Sequence, residues 1–113
     1  MSACIFCNIV QGKSPARIVY QDEDVTAFHD LNPQAPVHIL IVPNRHIRGL
    51  SSVEPGDEPV LGKLFSVARA LAEETGIADG YRVVVNNGPL AGQSVFHLHM
   101  HLLGGRRMSW PPG

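Results

Sequence analysis

Residues 95–105 read VFHLHMHLLGG, which sets His97, His99 and His101 at every second position. Side chains alternate across a strand, so the pattern predicts a strand over Val95–Leu103 with the three imidazoles on one face and Leu98, Met100 and Leu102 on the other. Neighbours on the histidine face would stand ~6.6 Å apart at the backbone, a spacing that suits a row of groups lining a groove better than three ligands converging on one ion. Just upstream, NNGPLAGQS brings Gly88, Gly92, Gln93 and Ser94 onto a turn entering the strand, where backbone N–H groups and the Ser94 hydroxyl can face phosphate oxygens. Three readings compete for the histidines: a polar strand face, a His-x-His zinc hydrolase centre, and nucleophilic attack on phosphorus. Histidine is a costly way to be merely polar, and no carboxylate with metal-ligand spacing stands nearby for a hydrolytic zinc. Neutral imidazole, with a reference pKa near ~6.5, is available at pH 7 as a nucleophile.

Outward from this stretch, short apolar runs bounded by turn residues predict four more strands, Arg17–Tyr20, Val25–Leu31, Val37–Pro43 and Tyr81–Asn86. Between the third and fourth, Val60, Leu61, Leu64, Phe65, Ala68, Leu71 and Ala72 recur at steps of three and four, the mark of one amphipathic helix. Asp57 suits its N-cap, Pro59 its first turn and Gly76 the left-handed residue past its end. A short helix is expected over Ile5–Val10. The short links between the first three strands favour an antiparallel meander with the long helix on one face, an α+β class.

The 113 residues fit one domain, residues 1–113, and 44% hydrophobic with 17% charged residues is the balance of a folding chain. Nine Lys+Arg against ten Asp+Glu leave a formal charge of -1, with no field to draw the chain to nucleic acid or an anionic membrane. No apolar stretch approaches a bilayer span, and MSACIFCNIV lacks the basic start of an export signal, so a cytoplasmic protein is expected. Cys4-x-x-Cys7 reads as a redox pair, a pair of buried thiols or half of a zinc site.

HLHMHLL also fits His-φ-His-φ-His-φ-φ, where φ is apolar, and so resembles the signature of the histidine triad superfamily. The surrounding GQSVFHLHMHLLGGR, the upstream AFHDLNPQAPVHILIVPNRHI and the final WPPG are similar to its Hint branch, nucleotide-binding phosphoramidases. The resemblance implies a five-stranded antiparallel sheet covered by one long helix and a short N-terminal one, and a homodimer that joins two such sheets into ten strands. It implies hydrolysis of the P–N bond in conjugates of AMP with amines, without a catalytic cofactor, and a purine nucleotide (AMP or GMP) as ligand. By the match, His99 is the nucleophile, His101 steadies a phosphate oxygen, His38 lies beside the triad, and Ser94 assists the departing amine. Asp30 would hold the ribose hydroxyls, Phe28, His29 and Leu31 would border the base, and Asn86, Gly92, Gln93 and Ser94 would contact phosphate and sugar. In zinc-bearing relatives the ligands correspond to Cys4, Cys7, His46 and His97, which implies a structural zinc here. A nucleotide-binding adaptor with incidental turnover and a dinucleoside polyphosphate hydrolase stand as alternatives.

Overall fold

The computed structural model describes residues 2–113, and among them the chain forms α1 (Ile5–Val10), β1 (Ile18–Gln21), β2 (Val25–His29), β3 (Val37–Pro43), α2 (Glu58–Glu74), β4 (Tyr81–Val84) and β5 (Met100–Gly104). All strand pairs are antiparallel, in the order β1-β2-β3-β5-β4. The first three strands make the expected meander. The turn from β1 to β2 is closed by Asp22, whose Oδ1 accepts from the N–H groups of Asp24 and Val25, each at 2.8 Å. None of the described helices is long and apolar enough to cross a membrane.

β3 carries the logic of the fold because both of its faces are covered. Ile39 and Ile41 join Val25, Ala27, Met100 and Leu102 in a core that α2 seals with Leu64, Val67, Ala68, Leu71 and Ala72. Leu40 and Val42, on the opposite face, pack with Phe28 under Phe6 and Ile9 of α1. A strand buried on both sides reads as a near-continuous apolar run, as HILIV does. His38 lies on the α1 face, and this explains an imidazole in so apolar a strand.

The histidine strand is shorter than its alternation suggests. β5 begins only at Met100, so His97 and His99 precede the ladder rather than belong to it. With Ile41 opposite Met100, a continued register would set Pro43 against Leu98, and proline has no N–H to give. The Leu98 N–H bonds instead to the Ile47 carbonyl at 2.7 Å. Alternation survives without the ladder, since Leu98, Met100 and Leu102 all enter the α2 core. Other strand ends also move: β1 starts one residue later, β2 stops at His29 and β4 at Val84.

Helix α2 departs from expectation at its start and on one face. Asp57 stands at the N-cap position of α2 as expected, but a 3-10 turn over Pro55–Asp57 precedes the helix and the Asp57 side chain makes no capping bond to α2; its carboxylate instead accepts from the Glu54 N–H at 2.9 Å and pairs with Arg45. Phe65 is 58% exposed, while Val67 takes a core place, because the stripe facing the sheet is centred on Leu64, Val67, Ala68 and Leu71. The end is as expected. Gly76, at φ +77, lets the Ile77 N–H reach the Ala72 carbonyl at 2.9 Å and turns Ile77 into the core. Ile77 in turn leaves no room beside β5, where a Cβ on Gly104 would fall 2.9 Å from the Ile77 Cβ and 2.6 Å from its Cδ1.

Gly104→Ala should therefore overpack this corner and cost about 1–3 kcal/mol, a drop in Tm of roughly 4 °C or more. An unchanged melting curve would mean that Ile77 and its turn shift at no cost.

Candidate functional site

Each triad histidine has one ring nitrogen committed to a backbone group or a neighbouring ring, and the proton on that nitrogen decides what the other can do. The buried His97 presents Nε2 to the Pro43 carbonyl at 2.8 Å. A carbonyl only accepts, so Nε2 carries the hydrogen and Nδ1 keeps its lone pair. His99 is the reverse. Its Nδ1 lies 2.7 Å from the His97 carbonyl and must donate, which leaves Nε2 as the lone pair. For His101 the argument starts at Gln34, whose backbone N–H donates to His38 Nδ1 at 3.0 Å. His38 then holds its hydrogen on Nε2 and donates to His101 Nδ1 at 2.9 Å, so His101 presents an Nε2–H outward.

Burial favours the neutral forms of His38, His97 and His101. It pushes the His38 pKa below its ordinary value against the opposing pull of Asp30, and it depresses His97. His101 is pushed down to about 4, by burial first and then by the neighbouring His99 and His38. Asp30 Oδ2 stands 3.4 Å from His38 Nε2, while Oδ1 accepts from the Asn32 N–H at 2.8 Å. Asp30, His38 and His101 are close enough to hold a cation. The Gln34 N–H occupies the other lone pair of His38, however, so ligation through Nε2 would require an imidazolate; the single Nε2 hydrogen goes to His101 instead, with the Asp30 carboxylate beside it.

A cleft of about 300 Å³ opens over this row. Ile5, Phe6, Ile9, Pro15, Ala16, Phe28 and Leu40 form its apolar side, and His29, Asp30, Ser94, His99 and His101 its polar side. Leu31 stands on the rim, 94% exposed. Asn86 and Gly92 do not line it. Gln93 is turned into its own loop, accepting from the Gly88 N–H at 2.8 Å and donating to the carbonyls of Arg48 and Val95 at 3.1 Å. Sequence reasoning passed over Phe6, whose ring meets His99 edge-to-face at 5.1 Å between centroids and Phe28 at 5.4 Å. Its only signal was an aromatic residue between the two cysteines. A larger hollow of about 380 Å³ is bounded by Glu23, Asp24, Arg45, Asp57 and Lys63. There the charges pair among themselves, Lys63 with Asp22 and Asp24 and Arg45 with Asp57.

Behind the row, Cys4, Cys7, His46 and His97 bring one ligand atom each to within 4.8 Å of one another. Tetrahedral zinc, with Zn–S ~2.3 Å and Zn–N ~2.0–2.1 Å, requires S···N near ~3.5 Å and N···N near ~3.3 Å. The cluster has Cys4 Sγ and Cys7 Sγ at 3.4 and 3.5 Å from His97 Nδ1, Cys7 Sγ at 3.5 Å from His46 Nδ1, and the two Nδ1 atoms 3.2 Å apart. The donor set therefore fits one tetrahedral ion, and the Pro43 carbonyl is the outer partner that orients His97 toward it. The backbone brings the four together from three places, with Cys4 at the N-cap of α1, Cys7 within it, His46 just past β3 and His97 before β5.

A family model described as HIT domain matches residues 11–108. The chain is 51% identical over 114 residues to the 14 kDa zinc-binding protein of Zea mays, across 99% of this chain and 89% of that protein. It superposes with a TM-score of 0.95 and 46% identity on a HIT family hydrolase from Legionella pneumophila, covering 97% of this chain and 99% of that one. For the histidine triad nucleotide-binding protein from Candida albicans the TM-score is 0.83 and the identity 30%, over 96% and 83% of the two chains.

The depressed His101 pKa has a measurable consequence. Between an ordinary 6.5 and about 4 the unfolded chain takes up a proton that the folded one refuses, so stability falls as pH falls through that window and levels off below it. Urea midpoints should decline less steeply over the same range in His101→Gln than in the wild type, the contribution of the cysteine cluster being common to both. Parallel slopes would contradict the assignment.

Proposed function

The chain belongs to the HIT domain family, and on that premise we propose that it is a Hint-type phosphoramidase, which hydrolyses the P–N bond joining a purine nucleoside monophosphate, AMP or GMP, to an amine. The observation that carries this reading is the Nε2 lone pair of His99, beside the Nε2–H of His101 in a cleft that is apolar at one end and polar at the other. A neutral nucleophile and a neutral hydrogen-bond donor side by side suit an anionic phosphate, because neither must lose a proton first.

In the first step His99 Nε2 attacks phosphorus, the P–N bond breaks, and the amine departs with a proton from the acidic group that serves it. Ser94, exposed at the cleft, has its hydroxyl free to hand that proton on. Nucleotide is then bonded to His99, and the hydrogen held on Nδ1 by the His97 carbonyl disperses the imidazolium charge. In the second step water attacks phosphorus, the bond from phosphorus to His99 Nε2 breaks and the water's proton restores the acidic group, which releases the nucleoside monophosphate and returns the lone pair. Throughout, His101 holds a phosphate oxygen, its own hydrogen kept on Nε2 because Nδ1 accepts from His38. Asp30 has lone pairs left for the ribose hydroxyls, and the base takes the apolar end between Phe6, Ile9, Phe28 and the rim residues His29 and Leu31. Asn86, Gly92 and Gln93 act at the phosphate end through the shape of their loop.

The same reading gives Cys4, Cys7, His46 and His97 a structural zinc. When bound, the ion supplies a fixed cross-link, and four protein ligands leave it no position for an activated water. No step above passes through it. The reading also includes a homodimer. β4 is an edge of the sheet, and an edge strand of a second copy would satisfy its open row of backbone groups to give ten strands.

His99→Ala should keep its fold and bind AMP, yet lose both the covalent nucleotidyl adduct and several orders of magnitude in kcat on an AMP-amine conjugate. Near-normal turnover in that variant would remove His99 from the nucleophile's role, and a binding-only protein would show no burst of released amine in the wild type.

A further inference from the structure

The metal cluster and the cleft share one short helix. Cys4 at its N-cap and Cys7 within it give α1 two of the four ligand atoms, while Ile5, Phe6 and Ile9 of the helix wall the apolar end of the cleft. Phe6 lies between the cysteines, and its ring stands edge-to-face on the ligand His97 at 5.9 Å and on His99 at 5.1 Å. We infer that α1 couples metal to nucleotide: the ion holds Phe6 against His99 and fixes the base-side wall, so metal tightens nucleotide binding and nucleotide tightens metal binding. The inference rests on the cleft being the nucleotide site.

Six residues are well short of the ~12–15 at which a helix is even marginal alone, so α1 is held by what it touches. Apart from the ligand cluster, those contacts include Phe6 and Ile9 on Phe28, Leu40 and Val42, Phe6 on His99, the exchange between Asn8 and Ser2, the Lys13 N–H on the Asn8 carbonyl, and the Gln21 amide on the Val10 carbonyl. No residue of α1 enters the larger core, which lies on the other sheet face under α2. The helix can thus loosen while β3, β5 and α2 stay folded, the condition for local rather than global opening. With no ion, two thiols and two imidazoles converge without a common partner and the N-terminal half of α1 loses its tie to His46 and His97. A base entering beside Phe6 and Ile9 then has to order the wall as it binds. With the ion in place that ordering is already done, and linkage requires the effect to be mutual.

The test uses zinc and AMP on the full chain, with amide hydrogen exchange read residue by residue. Zinc-loaded protein, at about one ion per chain, should bind AMP at least about fivefold more tightly than chelator-stripped protein, and saturating AMP should raise zinc affinity against a competing chelator by the same factor. Stripping should speed exchange over residues 5–10 while β3 and β5 stay protected, and AMP alone should restore part of the lost protection. Equal AMP affinity with and without zinc overturns the coupling alone. Absence of AMP binding to the loaded protein overturns the nucleotide reading and this inference with it. If stripping exposes β3 and β5 as well, the ion holds the whole fold and a local coupling through α1 is wrong. Phe6→Leu keeps all four ligands and should keep its zinc, but AMP should no longer shift zinc affinity; undiminished coupling there would overturn the role of Phe6.

Discussion

The hydrogen bond from His99 Nδ1 to the carbonyl of His97, at 2.7 Å, is the constraint from which the chemistry of the cleft follows. It exists because residues 95–99 leave the sheet. Had they extended β5, that carbonyl would have been directed at a neighbouring strand and not at the side chain two residues on. Pro43 stands at the place where the ladder would have continued, and its own carbonyl orients His97. Outside the ladder, the carbonyls of Pro43 and His97 each serve one of these two histidines. The result is opposite tautomers on opposite errands. His97 turns its lone pair toward the cysteines, and His99 keeps its own for the cleft.

A two-faced sheet lets these errands coexist. The α2 face is apolar throughout and carries the stability of the chain, so nothing in it has to change when a ligand comes or goes. Opposite it, a smaller cluster of Phe6, Ile9, Phe28, Leu40 and Val42 lies beneath residues whose work is polar. The depressed pKa of His101 and the burial of His38 reflect that setting. An imidazole relay there stays neutral and donates without adding charge, which suits a site meant for an anion that must later leave.

Much of this was open to a reading of the residues. Apolar runs bounded by turn residues locate the first four strands, and a period-3.6 stripe locates α2, to within a few residues, because each of these elements has a face to bury. The failures are informative. Phe65 fits the apolar period of α2 as well as Val67 does, and only the tilt of the helix on the sheet separates them. The histidine stretch alternates like a strand and keeps that alternation, but whether it joins a ladder depends on Pro43, more than fifty residues away, and on the insertion of β5 between β3 and β4. Tautomers were out of reach for the same reason, since they rest on the carbonyls of Pro43 and His97 and the N–H of Gln34, which no side-chain pattern records. The cysteine pair alone was legible as half of a ligand set, the resemblance to zinc-bearing relatives implied His46 and His97 as the rest, and the fold brings the four together.

The tautomers themselves are the most direct test, because every assigned role follows from them. Long-range proton–nitrogen correlation NMR on protein labelled at histidine nitrogens distinguishes the two neutral forms of each ring. At pH 7 the account predicts His99 with its hydrogen on Nδ1, and His38, His97 and His101 with theirs on Nε2. A His99 ring protonated on Nε2 would have no lone pair to offer the cleft, and the account built on it would be wrong.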